Sequence, residues 1–155
     1  MTITIERIDS PTPEARQLVA ELNDALAALY SEDQRHGLRL ERLFQPSIRF
    51  FIVRADGVAA GCGGIEIGDG VAEVKRMFTR PALRRRGVAR ALLRHLEVEA
   101  RDAGATTLRL ETGVHQPGAI ALYLRAGFIR CAPFGRYAEM RAPTIALSLF
   151  LQKPL

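Results

Sequence analysis

The sequence predicts an α/β domain of the α+β kind, built on a mixed, mostly antiparallel sheet of about seven strands. Three observations predict it. Strand-like runs follow one another between residues 47 and 79, separated only by Asp56-Gly57 and Asp69-Gly70. An amphipathic helical stretch then joins the last of these runs to another β-rich one. Alternating apolar residues mark both ends of the chain, at Ile3, Ile5 and Ile8 and at Ile145, Leu147, Leu149 and Leu151.

Residues 2–8 alternate as a half-buried strand does. Thr12 is a suitable N-cap and Pro13 suits the first helical position, and Ala15, Leu18, Val19, Leu22, Ala25, Leu26 and Leu29 repeat at helical spacing. A polar stretch from Ser31 to Gly37 ends this helix, and a shorter one is expected around Leu38–Phe44, stopping before Pro46. The runs 47–54, 58–68 and 71–79 form an antiparallel meander, because Asp-Gly supplies the positive φ that tight hairpins need. Arg84–Ala103 reads as the most regular helix, with Val88, Leu92, Leu93, Leu96 and Ala100 on one face and Gly104 as its stop. The β-rich run 106–112 follows at once, so a right-handed crossover should place it parallel to the preceding strand. A short helix around 118–126, a strand at 128–131 and a last strand through Leu151 complete the chain.

A chain of 155 residues is the size of one domain, taken here as residues 1–155. With 48% hydrophobic and 25% charged residues, its composition excludes a disordered tail or a low-complexity scaffold. Cys62 and Cys131 are too few for a disulfide framework or structural zinc, no CxxC occurs, and no His, Cys and carboxylate spacing resembles a metal ligand set. Met1–Arg7 lacks the apolar block of a signal peptide and no stretch could span a bilayer, so a cytoplasmic protein without a membrane partner is expected. The net charge is +5, and 20 of the 22 basic residues are arginines, which suits planar anions such as phosphate.

The segment Lys75–Ala89 concentrates the chemistry. A strand ends, Arg84, Arg85 and Arg86 raise the local potential, and Gly87 and Ala89 leave room for an anion at the start of a helix, where unpaired N–H groups gather. Three arginines alone would support only a solvated basic turn. Gly in a first helical turn costs about 1 kcal/mol relative to Ala, and that favours a phosphate site. The turn is neither a P-loop nor a dinucleotide fingerprint, since both glycine patterns are absent.

Arg84-Arg85-Arg86-Gly87-Val88-Ala89 resembles the [Q/R]-x-x-G-x-[G/A] signature of the GNAT superfamily of N-acetyltransferases. Ala119-Ile120-Ala121-Leu122-Tyr123-Leu124-Arg125-Ala126-Gly127-Phe128 resembles that family's A-x-x-L-Y-x-x-x-G-F segment, and the order of elements agrees over nearly the whole chain. The resemblance implies helices on both faces of the sheet, a cleft between the fourth and fifth strands, and acetyl-coenzyme A as acyl donor. It further implies that Met77, Phe78 and Thr79 meet the pantetheine arm through their backbone. The backbone of Arg85, Arg86, Gly87, Val88 and Ala89, with Arg84 beside it, would hold the pyrophosphate, and Tyr123 would lie near the sulfur. Where family members often carry a pantetheine-binding Asn, seven residues before the Tyr, this chain has Gln116.

Amide formation from an ammonium needs a base, a donor for the oxyanion and a donor for the leaving thiolate. The Met77 region is the oxyanion candidate and Tyr123 the thiolate donor. Glu73, fourteen residues before Gly87, matches the place of a general base in the histone-acetylating branch of the family; its other reading is a strand carboxylate paired with Lys75 or an arginine. Glu111, His36 and His115 are further base candidates, whereas His95, on the signature helix, reads as structural and Cys62 as a buried thiol. The leading reading is direct acetyl transfer to a primary amine of a small molecule or a peptide, in a ternary complex. The loops 31–40 and 132–142 would line the acceptor site, and a homodimer is compatible with the family. A coenzyme A-binding sensor without turnover would need the Arg84–Ala89 turn but neither Glu73 nor Tyr123. A nucleic-acid partner ranks last, because the basic residues are dispersed and only 6% of residues are aromatic.

Overall fold

The computed structural model describes all 155 residues. Seven strands, β1 (Ile3–Ile8), β2 (Ile48–Ala55), β3 (Val58–Gly68), β4 (Val71–Thr79), β5 (Thr107–Gly113), β6 (Ile129–Arg130) and β7 (Ser148–Pro154), share one sheet in the order β1-β2-β3-β4-β5-β7-β6. Every neighbouring pair is antiparallel except β4 and β5, which the helix between them makes parallel. The two Asp-Gly turns form as their chemistry demands, with both residues of each at positive φ (Asp56 and Gly57, Asp69 and Gly70).

Both faces of the sheet are covered. On one face α1 (Pro13–Ala27) packs Leu18, Val19 and Leu22 against Phe50, Ile52, Ala59 and Phe78. On the other, α2 (Val88–Asp102) packs Leu92, Leu93 and Leu96 against Phe51, Val53, Ile65 and Val74, joined by Tyr123 of α3 (Pro117–Arg125). This explains the unbroken run Phe50-Phe51-Ile52-Val53 in β2: alternate residues serve different cores, so none is left for solvent. Thr12 caps α1 as expected, its hydroxyl accepting from the Ala15 N–H at 3.2 Å.

The central irregularity lies in β4. Between Lys75 and Phe78 this strand takes three steps while β3, from Gly64 to Cys62, takes two, so β4 carries a bulge at Arg76–Met77. Arg76 has φ +54°, and the Cys62 thiol donates to its displaced carbonyl at 3.5 Å. Pairing of β4 with β5 covers only Val71–Glu73 against Thr107–Arg109. Beyond it β4 follows β3 and β5 follows β7, and the two strands part. The expected cleft between the fourth and fifth strands is this opening.

Four boundaries differ from the sequence reading. The signature helix starts at Val88 and not at Arg84, because Arg85 (φ +61°) and Gly87 (φ +80°) are left-handed and cannot extend a right-handed helix backwards. Residues Leu40–Phe44 form a 3₁₀ turn, shorter than the expected helix, and Glu32–Gln34 another within the polar stretch. The last strand begins at Ser148; Ile145 ends a four-residue helix, α4 (Ala142–Ile145), which starts beside Pro143.

Strand β3 passes so close to its neighbours that its glycines are not interchangeable. A Cβ on Gly64 would lie 2.6 Å from the Arg49 carbonyl oxygen and 3.2 Å from the Phe50 Cα, backbone atoms that cannot swing aside, whereas one on Gly68 meets nothing. Gly64→Ala is therefore expected to lower stability by about 1–3 kcal/mol in urea unfolding, with Gly68→Ala within about 0.5 kcal/mol of the parent. Equal midpoints for the two variants would contradict this packing.

Candidate active site

The turn between β4 and α2 leaves a row of donors. Thr79 ends β4, Pro81–Leu83 make one 3₁₀ turn, and the Arg84 side chain folds back so that its Nε donates to the Thr79 carbonyl at 3.0 Å. None of the N–H groups from Arg85 to Arg90 donates to another group of the chain. Arg84, Arg85, Arg86 and Gly87 are exposed, no acidic residue occupies the first turn of α2, and nothing lies within 4 Å of a Cβ on Gly87. Left-handed residues at Arg85 and Gly87, alternating with Arg86 ahead of a helix dipole, turn these N–H groups outward in the manner of an anion-binding concavity.

The cleft between the parted strands is walled by β4, β5, α3, the end of α1 and the segment that follows it. Val74, Arg76 and Met77 line it from β4, and Leu110, Glu111, Thr112 and Gly113 from β5. Gln116, Ala119 and Tyr123 line it from α3, and Tyr30, His36 and Gly37 close it from the α1 side. Met77 therefore reaches the cleft, whereas the Phe78 side chain is buried in the α1 core, so that residue has only its backbone to offer. Gln116 stands at the start of α3, and its side-chain carbonyl accepts from the Gly113 N–H at 3.2 Å.

Tyr123 is buried, its ring edge-on to Phe128 at 5.7 Å, and its hydroxyl makes no hydrogen bond within the chain. Burial, and then the charge of Glu111, hold its phenol well above the usual range, so it remains a proton-bearing donor. The same carboxylate adds to the effect of burial at Tyr30, and at Tyr137 it adds, after Glu73, to that of burial. Glu111 itself is raised above the ordinary carboxylate value, chiefly by burial. The Ser148 hydroxyl, donating at 2.7 Å, and the nearby His36 and Lys75 oppose that shift, and Glu73 reinforces it.

Glu73 occupies a different position. One of its oxygens accepts from Lys75 Nζ at 2.7 Å and from the Tyr137 hydroxyl at 2.8 Å, and its side chain lies outside the cleft wall that Glu111 joins. Of the two sequence readings of Glu73, the structure displays the pairing with Lys75. His36 lines the cleft with Nε2 3.0 Å from the Thr144 carbonyl; His115 stacks on Tyr30 at 5.5 Å; His95 sits on α2 against Phe51. The Cys62 thiol is pushed up to about 12 by burial, so it is no nucleophile. No three His, Cys, Asp or Glu side chains gather as metal ligands, and no helix is long and apolar enough to cross a membrane.

Sequence reasoning missed Tyr30, whose hydroxyl accepts from the His115 N–H at 2.9 Å and ties the end of α1 to the loop after β5. It read Arg76 only as part of a basic run, and it gave Ser148 no role. Nothing in the local pattern distinguishes these residues; only the structure brings Tyr30 and Arg76 to the cleft wall and Ser148 against Glu111.

The comparisons with known proteins agree with this architecture. The sequence model of the Acetyltransferase (GNAT) family matches residues 14–128. The chain is 45% identical over 156 residues to the IAA acetyltransferase of Azospirillum brasilense, covering 99% of this chain and 98% of that protein. A Klebsiella pneumoniae protein assigned as an acyl-CoA N-acyltransferase superposes with a TM-score of 0.80 at 34% identity, over 99% of this chain and 97% of the other. A GNAT family acetyltransferase of Elizabethkingia anophelis, solved with acetyl-CoA bound, has the same fold at 20% identity (TM-score 0.71, 99% and 98% coverage). The chain belongs to the GNAT acetyltransferase family and is an N-acetyltransferase.

A carboxyl group that burial raises costs stability once it ionises. Below its ordinary value near 4.3 Glu111 is protonated whether or not the chain is folded. Above that value the unfolded chain ionises first, and wild-type stability falls until the pH passes the raised folded value. Glu111→Gln can still accept from Ser148 and has no such loss. The variant's melting temperature relative to wild type is expected to climb across that pH window and then level off. A difference that does not change with pH would mean that Glu111 is not desolvated.

Proposed function

We propose that the protein transfers the acetyl group of acetyl-CoA directly to a primary amine, within a ternary complex. The observation that carries this reading is the cleft: strands that part after Glu73 and Arg109, the unpaired N–H groups of Arg85–Arg90 following β4, and Glu111 and Tyr123 in the walls. The residues present suit the donor. The open turn around Gly87 would take the pyrophosphate on its backbone, with Arg84, Arg85 and Arg86 adding charge; Val88 and Ala89 supply the first helical N–H groups. An extended pantetheine arm would lie along Met77, Phe78 and Thr79.

Glu111 is the better base of the two carboxylates, because it faces the cleft and its raised pKa strengthens it as a proton acceptor. It takes a proton from the acceptor ammonium and passes it to solvent. The freed amine attacks the thioester carbonyl, the N–C bond forms, the C–S bond breaks, and the second amine proton ends on the sulfur. The Met77 N–H in the bulge is the oxyanion donor in this reading. Tyr123 donates a hydrogen bond to the departing sulfur. Its phenol is a weaker acid than a thiol of pKa about 8.5, so it stabilises the thiolate without surrendering its proton. Glu73, Lys75 and Tyr137 act as the support behind Glu111.

Calorimetric titration with acetyl-CoA, beside ATP and NAD, tests the donor. Selective binding is expected, and Gly87→Val, which forces a β-branched residue to φ +80°, should weaken it about tenfold or more, a loss of about 1.4 kcal/mol. Thiol release with a panel of primary amines, together with the IAA of the Azospirillum relative's name, separates an enzyme from a coenzyme A-binding sensor.

The pH profile tests the base. Glu111→Gln is expected to lower kcat by about 10²–10⁴ and abolish the acid limb of the profile, while Glu73→Gln keeps that limb. The reverse pattern would give the role to Glu73. Tyr123→Phe should lower kcat more than it changes the dissociation constant of acetyl-CoA; unchanged turnover would leave Tyr123 a packing residue.

A further inference from the structure

The cleft contains a cation that the transfer chemistry does not use. Arg76 projects from the β4 bulge towards α1, and its guanidinium lies so tightly across Gly37 that a Cβ there would overlap Nη1 and approach Cζ to 2.8 Å. One terminal nitrogen donates to the Asn23 side-chain carbonyl, while Nε is buried and has no partner. No carboxylate lies within ion-pair distance of it.

Most other half-buried cations are answered, and Arg35, in the same cleft wall, gives its Nε to the Ser31 carbonyl at 3.3 Å. The half-buried Arg49, Arg54 and Arg80 meet Glu99, Glu14 and Glu21 at 2.6, 2.6 and 2.8 Å. Arg109, whose Nε is also unpartnered, lies flat over the Phe134 ring at 4.3 Å. Partly burying a guanidinium without an anion opposes folding, and although burial lowers its pKa an arginine side chain stays charged. A charge held in that condition in the wall of a binding cleft is compensated when an anion enters. The planar fork of an arginine favours a planar, two-oxygen anion.

From the unpaired guanidinium in the cleft wall we infer that Arg76 is a specificity-determining residue: it docks a carboxylate of the amine acceptor, so the protein acetylates amino-acid-like acids in preference to plain amines. This rests on the acetyl-transfer reading above and names its substrate class. Glu111 lines the same cleft from β5 and Arg76 from β4, and no ion pair or hydrogen bond joins them. In this inference the base and the anion receptor are separate stations, one for each end of a zwitterion. Asn23 fixes the guanidinium plane from α1, and the missing side chain at residue 37 lets the guanidinium lie across the loop.

The test compares matched pairs of acceptors, each L-amino acid beside its own primary carboxamide, by thiol release at fixed acetyl-CoA. Wild type is expected to favour the acid in kcat/KM by about tenfold or more, because the amide leaves a buried charge unanswered. In Arg76→Gln the acid-to-amide ratio should collapse towards one, and Arg76→Lys should restore part of it. The ratio is internal to each variant, so loss of folded protein does not alter it. Should neither variant fold, the wild-type ratio alone decides. A wild-type ratio near one, or a ratio unchanged in Arg76→Gln, would make Arg76 a bolt between α1 and the Gly37 loop and overturn the inference. Thiol release with amides and acids alike leaves acetyl transfer standing without it. No release with any amine overturns both.

Discussion

The parting of β4 from β5 is the constraint on which the rest of this molecule depends. Two parallel strands that bond over three residues and then diverge leave backbone N–H and C=O groups facing a gap in the middle of the sheet. The bulge at Arg76–Met77 belongs to the same feature: an extra residue increases the local bend and re-aims two side chains at once. Met77 turns to the α2 face, where Gly63 makes room for it, and Arg76 turns to the α1 face, where Gly37 does. The Cys62 thiol answers the carbonyl that the bulge displaces. The small residues of Gly61-Cys62-Gly63-Gly64 thus serve the opening of the cleft on the neighbouring strand.

Charge is distributed along that opening in a way that matches a reaction with two anionic demands and one proton acceptor. The turn ahead of α2 has free N–H groups and three arginines with no acid in the first helical turn. Deeper in, the half-buried Glu111 shares the cleft wall with Tyr30 and Tyr123, whose phenols are held above their ordinary pKa by burial. Arg76, bound to Asn23, makes no ion pair with that carboxylate. Several other partly buried cations are consumed in ion pairs that bind strands to helices, such as Arg80 with Glu21 and Lys153 with Glu97.

Much of this was legible in the amino-acid order. The meander followed from two Asp-Gly turns, α1 from Thr12-Pro13 and its apolar stripe, and the parallel pair from a strand, a helix and a strand in succession. The basic turn and the Tyr123 segment carried the family resemblance. Boundaries slipped where a backbone conformation outweighed composition. The three arginines before Gly87 are good helix formers, yet left-handed residues at 85 and 87 keep them out of α2. Leu147 and Ile145 continue an apolar alternation that Pro143 and the loop geometry cut short.

What the sequence by itself determined are the features whose causes act within a few residues: turn chemistry, capping, periodicity, and the glycine turn that opens the start of α2. Only the tertiary structure gives the two strand glutamates, Glu73 and Glu111, different surroundings. Glu73 is engaged by Tyr137, 64 residues away, and by Lys75; Glu111 is held by Ser148, 37 residues away, and left facing the cleft. Arg76 likewise read as one more arginine until α1 and Gly37 enclosed it without a counter-ion. Desolvation and pairing set the chemistry of a titratable group, and both depend on atoms that folding brings from distant parts of the chain.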